Sequence, residues 1–236
     1  MYKGKLYLIP VPLADDTTAA SFTPHTLSLL NEIDEYIVEN EKTARKFLKD
    51  AQITIPQNNL ILHDYGKHSR DVFEMRKAFQ NLFLGKDIGV LSEAGCPGVA
   101  DPGSQIVEYA HKNGIQVVPL VGPSSILLAL MASGFNGQNF AFTGYLPIGK
   151  SERIKKIKSL EAQVYNDQQT QIFMEAPFRN NKLLEDLLKT CKNDTRLCIA
   201  SLLTSKEEYI RTQKISEWRA SPPDLHKKPT LFLLYK

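Results

Sequence analysis

The densest concentration of residues able to hold a ligand is Ser92-Glu93-Ala94-Gly95-Cys96-Pro97-Gly98-Val99-Ala100-Asp101-Pro102-Gly103, with three glycines and two prolines in twelve residues. Small residues let a backbone come close to a ligand and offer N–H and C=O groups without long side chains. Within the stretch, Glu93 can accept a hydrogen bond from a hydroxyl or an ammonium. Asp101 can serve as a general base or as the N-cap of a helix entered beside Pro102. No Gly-Lys-Ser/Thr follows, so this is not a Walker-type phosphate loop, and the dinucleotide fingerprint is absent. The other reading is a tight connection whose glycines serve φ angles alone, and spacing does not separate the two.

A second small-residue element, Val121-Gly122-Pro123-Ser124-Ser125, opens an apolar helical run. Free backbone N–H groups and hydroxyls there can take a carboxylate or a ribose, or Ser124 can simply cap the helix. In a third, Phe173-Met174-Glu175-Ala176-Pro177-Phe178-Arg179, Glu175 is another possible base. Arg179 can meet a phosphate or pair with Glu175. His63 and His68 with a single aspartate are too few for a metal site, and Cys96, Cys191 and Cys198 lack CxxC spacing, so reduced thiols and no metal are expected. Arg153, Lys155, Lys156 and Lys158 either face a polyanion or are the solvated charge of a helix.

The elements that must position these groups alternate. Strand-like runs at Lys5 to Ile9, Glu35 to Val38, Asp87 to Leu91 and Ile115 to Val118 are separated by helical patterns: one opened by Thr23-Pro24, one from Thr43 to Asp50, one capped by Ser69 with a stripe of Val72, Met75, Phe79, Leu82 and Phe83, and one from Ser104 to Asn113. That is the rhythm of a parallel α/β sheet, whose ligands bind beyond the carboxyl ends of the strands. Pro119 to Pro123 interrupts the pattern, which divides the chain into an N-terminal α/β domain, 1–119, and a C-terminal one, 120–236. The second half carries strands near Phe140 to Thr143, Thr170 to Met174, Arg196 to Leu203 and Thr230 to Tyr235. Helices lie near Ser151 to Ala162 and Arg179 to Thr190, and a hairpin-like partner at Tyr209 to Ile215 makes this sheet mixed.

The 236 residues, 42% hydrophobic and 23% charged, suffice for two such units. A formal charge of +3 does not by itself mark a polyanion binder. No apolar run reaches membrane-spanning length and none resembling a signal region precedes the first strand, so the expectation is a cytoplasmic protein with no membrane partner.

Leu6-Tyr7-Leu8-Ile9-Pro10-Val11-Pro12-Leu13, the Ser92 to Gly103 stretch, Gly122-Pro123-Ser124, Phe142-Thr143-Gly144-Tyr145-Leu146-Pro147 and the Phe173 to Arg179 stretch, in this order, resemble the tetrapyrrole methylase superfamily. Within it, the chain is most similar to the ribosomal small-subunit RNA cytidine 2′-O-methyltransferases. The resemblance runs from Lys5 to Leu234 and implies a two-domain fold with a parallel N-terminal sheet, a mixed C-terminal sheet and S-adenosylmethionine in the cleft between them, usually in a homodimer. By position it implies cofactor contacts at Pro10, Leu13, Glu93, Ala94, Gly95, Pro97, Val99, Gly122, Ser124, Ser125, Phe142, Ala176 and Pro177. Asp101 and Glu175 become the candidate bases, and Asp15, Glu39, Lys42, Arg45 and Arg179 the acceptor contacts. The acceptor it implies is ribosomal RNA or an immature small ribosomal subunit.

The acceptor side departs from those relatives. Their Thr-Pro-Ile-Gly-Asn is here Val11-Pro12-Leu13-Ala14-Asp15, their Glu-Asp-Thr-Arg is Glu39-Asn40-Glu41-Lys42, and their Tyr-His-Glu-His-Asn is rearranged as His63-Asp64-Tyr65-Gly66-Lys67-His68. Their Pro-His-Arg is Pro177-Phe178-Arg179 and their Ala-Arg-Glu-Leu-Thr is Ala200-Ser201-Leu202-Leu203-Thr204. Replacing a forked guanidinium by an ammonium changes phosphate recognition. They also commonly carry a further C-terminal helical segment. Three other readings therefore stand beside the RNA methyltransferase: a tetrapyrrole C-methyltransferase, a cofactor- or RNA-binding protein without catalysis, and a dehydrogenase, which the missing glycine fingerprint disfavours.

Overall fold

The computed structural model describes residues 3–66, 69, 71 and 73–236. The chain divides into two units, the first ending at Ser124 and the second spanning Ser125–Lys236.

The first unit is built on β1 (Leu6–Ile9), β2 (Glu35–Val38), β3 (Ile61–Asp64), β4 (Ile88–Leu91) and β5 (Val117–Pro119), all parallel in the order β3-β2-β4-β1-β5. β2 and β4 are buried at every position, as expected of parallel strands covered on both faces. Alternate side chains of the same strands feed two cores. Tyr7, Ile9, Tyr36 and Val38 pack with Leu30, Phe47 and Leu48 on one face, and Leu6, Ile37, Ile88 and Val90 pack with Phe79, Leu82 and Ile106 on the other.

The covering helices are α1 (Thr18–Ser21), α2 (Pro24–Leu30), α3 (Glu41–Asp50), α4 (Met75–Ala78), α5 (Gln80–Phe83) and α6 (Gly103–Lys112). Thr23 caps α2 through its side chain, with Pro24 as first helical residue. Asn40 caps α3 by accepting from the amides of Lys42 and Thr43 at 2.9 and 3.3 Å.

The helix expected to start at Ser69 differs. Its first turn begins only at Met75, after Glu74, and the Ser69 amide bonds instead to the Gly66 carbonyl in a turn. Phe79 and Leu82 of the stripe are buried and Met75 and Phe83 pack beside them, as the periodicity implied. Val72, Lys67 and His68 lie outside the described residues.

The second unit holds α7 (Ser125–Ser133), β6 (Phe140–Tyr145), α8 (Lys150–Asp167), β7 (Thr170–Met174), α9 (Asn180–Thr190), β8 (Arg196–Ser201), β9 (Tyr209–Lys214), α10 (Ile215–Ala220) and β10 (Thr230–Tyr235). Its sheet runs β6-β7-β10-β8-β9, with β6 parallel to β7 and the other neighbours antiparallel, so it is mixed. α8 and α9 bury Ile157, Leu160, Val164, Leu183, Leu184 and Leu187 against Phe173, Ile199 and Phe232 of the strands. Trp218 of α10 closes that core and donates its indole N–H to the Leu197 carbonyl at 2.9 Å. Among the described residues, no helix is long and apolar enough to cross a membrane.

Candidate functional site

The connection leaving β1 runs toward β2, and the one leaving β4 runs the opposite way, toward β5. β1 and β4 are neighbours, so their carboxyl ends mark the switch point at which open parallel sheets bind ligands. The two loops are joined there: the Val11 amide donates to the Gly95 carbonyl at 2.9 Å and the Gly95 amide returns a bond to the Val11 carbonyl at 2.8 Å. Gly95 holds φ +75°, in the left-handed region that favours glycine. A Cβ on Gly122, in the loop after β5, would stand 2.4 Å from Cβ of Pro10, so only glycine lets this third loop rest on the first. The Cys96 thiol donates to the Pro123 carbonyl at 3.3 Å and links the second loop to the third. Burial, aided by Asp101, pushes that thiol above its usual range, which makes it a brace and not a nucleophile.

Asp101 has a defined place in this loop. Its Oδ1 accepts from the amides of Gly98 and Gly103 at 2.6 and 2.7 Å, tying the loop to the first residue of α6. Ser92 braces the other end, donating from Oγ to the Gly95 carbonyl at 3.0 Å. Pro97 is buried beneath the loop, whereas Glu93 and Ala94 are exposed and Val99 is 49% exposed. The Glu93 carboxylate forms no hydrogen bond or ion pair with another described residue, while its amide donates to Oε1 of Glu39, after β2, at 3.1 Å.

The expected acceptor contacts of this unit are placed unevenly. Asp15 is exposed and pairs with Lys46 of α3 at 2.5 Å. Arg45 is committed locally, to Glu41 one turn earlier and to the Gln57 carbonyl at 2.5 Å. Lys42 is exposed on the first turn of the same helix. Thus α3 and the loops after β1, β2 and β4 gather Asp15, Glu39, Lys42 and Glu93 at one end of the sheet. Lys46 was missed because nothing in sequence pairs residues 31 apart.

In the second unit the relevant loops leave the parallel neighbours β6 and β7. Their register breaks between Phe142 and Tyr145, where Gly144 adopts φ +67°. Phe142, Ala176 and Pro177 are half-buried beside that break. Glu175 is buried, and its Oε1 accepts from the Ala176 amide at 2.7 Å and from Nη2 of Arg179 at 2.6 Å. That bond, partly opposed by desolvation, holds the guanidinium above its usual range. Arg179 therefore pairs with Glu175, one of the two roles its spacing allowed.

Arg153 departs from both roles read for the basic cluster, because it neither faces a partner nor solvent. It is 5% exposed, donates from Nε and Nη2 to the same oxygen, Oδ2, of Asp186 at 2.8 and 2.6 Å, and donates to the carbonyls of Pro147 and Ile148 at 3.3 and 2.6 Å. Lys155 and Lys158 are exposed. Arg153 is thus the residue that shapes the loop after β6. Sequence hides this because its partner lies 33 residues away.

A model of the family described as Tetrapyrrole (Corrin/Porphyrin) Methylases matches residues 5–218. The chain belongs to the tetrapyrrole methylase family. Like that family, it is a methyltransferase whose methyl donor is S-adenosylmethionine. A protein named ribosomal RNA small subunit methyltransferase I from Vibrio cholerae is 31% identical over 232 residues, 97% of this chain and 76% of that protein. One of the same name from Bacillus subtilis is 32% identical over 209 residues, 88% of this chain and 67% of its own. The crystal structure of the methyltransferase CobJ superposes with a TM-score of 0.65 at 20% identity, over 99% of this chain and 94% of that one, and shares the fold.

The residues present suit this donor. S-adenosylmethionine supplies an electrophilic methyl on a sulfonium, with an adenosine and an amino-acid end to be held. Glu93, exposed and without a partner for its carboxylate among the described residues, can accept from a ribose hydroxyl or an ammonium. The glycine- and proline-bearing loops around Gly95 and Gly122 would offer backbone groups at close approach to the rest of it.

Proposed function

We propose that this methyltransferase acts on ribosomal RNA of the small subunit, at a ribose 2′-oxygen. The relatives named above carry the RNA assignment, and their match over most of both chains favours it over a tetrapyrrole acceptor. In this reading Pro10, Leu13, Glu93, Ala94, Gly95, Pro97, Val99, Gly122, Ser124 and Ser125 join Phe142, Ala176 and Pro177 in holding the cofactor. Asp15, Glu39, Lys42, Arg45 and Arg179 meet the acceptor. The enzyme acts as a homodimer in the cytoplasm, where its ribosomal substrate is. Leu127 and Met131, exposed by 51% and 77% one turn apart on α7, support self-association.

Methyl transfer is an in-line displacement, so the protein's work is alignment and exclusion of water around the attacking oxygen. Of the two candidate bases, Asp101 has an oxygen committed to two amides and Glu175 to Arg179. Asp101 then acts by holding the loop, and Glu175 by orienting Arg179 toward the acceptor.

The test is nucleoside mass spectrometry of ribosomal RNA from cells with and without the gene, beside transfer of labelled methyl from S-adenosylmethionine to small subunits of the deleted strain. Loss of one 2′-O-methylated nucleoside on deletion is expected. Label entering only small molecules would move the acceptor elsewhere.

A further inference from the structure

Two large rings stand in solvent at the end of the β6–β7 pair: Tyr145 is 59% exposed and Phe178 62%. Globular surfaces carry isolated apolar residues without consequence, but these two are neither isolated nor loosely held. Tyr145 is paired in register with Met174, four residues before Phe178, and lies within electrostatic range of Arg179. The guanidinium of Arg179 lies 5.0 Å from the centroid of the Phe178 ring. Among the described residues its Nη2 donates to Glu175 and its Nε is buried without a partner, while the side chain as a whole is 30% exposed. The exposed Lys227 joins the same edge through its amide, which donates to the Pro177 carbonyl at 3.0 Å.

Both rings sit on fixed supports. Buried Arg153 grips the carbonyls of Pro147 and Ile148 just beyond Tyr145. The turn bearing Phe178 is fastened by the 2.7 Å bond from the Arg179 amide to the Ala176 carbonyl and by the Glu175 pair. Exposed aromatic faces flanked by cations match one chemistry closely, a single-stranded nucleic acid, whose bases stack on rings while its phosphates meet guanidinium and ammonium groups. A stiff support matters here, because a platform already in place loses less conformational freedom on binding.

We propose that Tyr145, Phe178, Arg179 and Lys227 form a stacking platform for an unpaired nucleotide of the acceptor RNA, with Phe178 under the base and the two cations on its flanking phosphates. The proposal rests on the ribosomal-RNA reading above and deepens it by naming an unstacked nucleotide as what is recognised.

The experiment measures steady-state methylation of small ribosomal subunits from a strain lacking the gene, together with calorimetric S-adenosylmethionine binding, for Phe178→Ala, Tyr145→Ala and Phe178→Trp. The exposure of these side chains leaves folding intact, which circular dichroism checks. Phe178→Ala should raise KM for the subunit about ten-fold with cofactor affinity unchanged. Tyr145→Ala should raise KM in the same direction, and Phe178→Trp should stay near wild type. Lys227→Gln should reduce the dependence of log KM on log salt by about one unit.

Alanine variants with wild-type KM, while the wild-type enzyme methylates the subunit, overturn the platform and leave the acceptor reading standing. If wild-type enzyme fails to methylate the subunit, both fall together. Loss of cofactor affinity in Phe178→Ala with KM unchanged assigns the rings to the donor instead. A shift to smaller mass in light scattering with KM unchanged assigns them to self-association, and either result overturns the platform.

Discussion

Val11 and Gly95 exchange two backbone hydrogen bonds, of 2.9 and 2.8 Å, beyond the ends of adjacent parallel strands. The pair works as a clasp, because each residue belongs to a different loop, one leaving β1 and the other leaving β4, and moving either loop away from the other breaks both bonds. Gly95 sustains it from a positive φ that side chains disfavour.

Gly95→Val is accordingly expected to weaken S-adenosylmethionine binding at least about five-fold, because a branched side chain at that φ carries a strain of roughly 1–3 kcal/mol that the loop relieves by moving. Far-ultraviolet circular dichroism should be unchanged. Wild-type affinity by calorimetry would place the cofactor away from this loop.

Gly122→Ala tests the neighbouring approach. The new methyl would be 2.4 Å from Pro10, too close for any real contact, and overpacking of this kind costs about 1–3 kcal/mol. A fall in Tm of roughly 2–10 °C follows for a chain of this size. An unchanged melting curve would mean the two loops separate freely.

Asp101 distinguishes bracing from catalysis. Asp101→Ala leaves the Gly98 and Gly103 amides without their acceptor and should cost about 1–3 kcal/mol in urea unfolding. Asp101→Asn keeps an acceptor oxygen, so it should retain most stability and most turnover. Turnover abolished in the asparagine variant at wild-type stability would make Asp101 the base after all.

Arg153→Ala should cost about 3–5 kcal/mol, because it leaves the buried Asp186 carboxylate with only the 4.0 Å contact to Lys182. A residue that faced RNA would behave in the opposite way, with stability kept and acceptor affinity reduced. Chemical denaturation and subunit KM, measured on the same preparation, separate the two.

Glu35 sets an acid limit to stability. Burial alone would raise its carboxyl, but hydrogen bonds from His63 and Asn81 and the charges of His63 and Lys86 outweigh it and hold Glu35 below its ordinary 4.5. A carboxyl depressed on folding contributes stability that is complete above 4.5 and is lost as pH falls through the folded value. Urea midpoints of the wild type should therefore decline between about pH 5 and pH 3, and those of Glu35→Gln should decline less. Parallel slopes for both proteins would exclude this role.

Much of the framework was legible from local pattern. The strands β2, β7 and β10 stand where the sequence places them, because each carries a run of apolar residues, Tyr36–Val38, Ile172–Met174 and Leu231–Tyr235, that a buried strand needs. β3 escaped notice, since its Ile61, Leu62, His63 and Asp64 are exposed or half-buried and form an edge without a clear apolar signal. α10 escaped because six residues with only Ile215 and Trp218 buried are too short to show a sustained helical period. Ser69 misled because a good capping residue does not make a helix; the turn there is closed by Gly66.

The site divides along the same line. Glycine and proline mark the loops after β1, β4 and β5 in any reading. The acceptors found by the Gly98 and Gly103 amides, the burial of Arg153 and the grouping of Tyr145 with Phe178 depend on partners supplied by the tertiary fold.

The position of β1 has a consequence for how the chain is made. Leu6 pairs with Ile88 on one side and Val117 on the other, so a nascent polypeptide carries Leu-Tyr-Leu-Ile unsheltered until both later segments have left the ribosome. Such a run invites intermolecular association while it waits. Lys3 and Lys5, immediately upstream, place charge beside it as gatekeepers during synthesis.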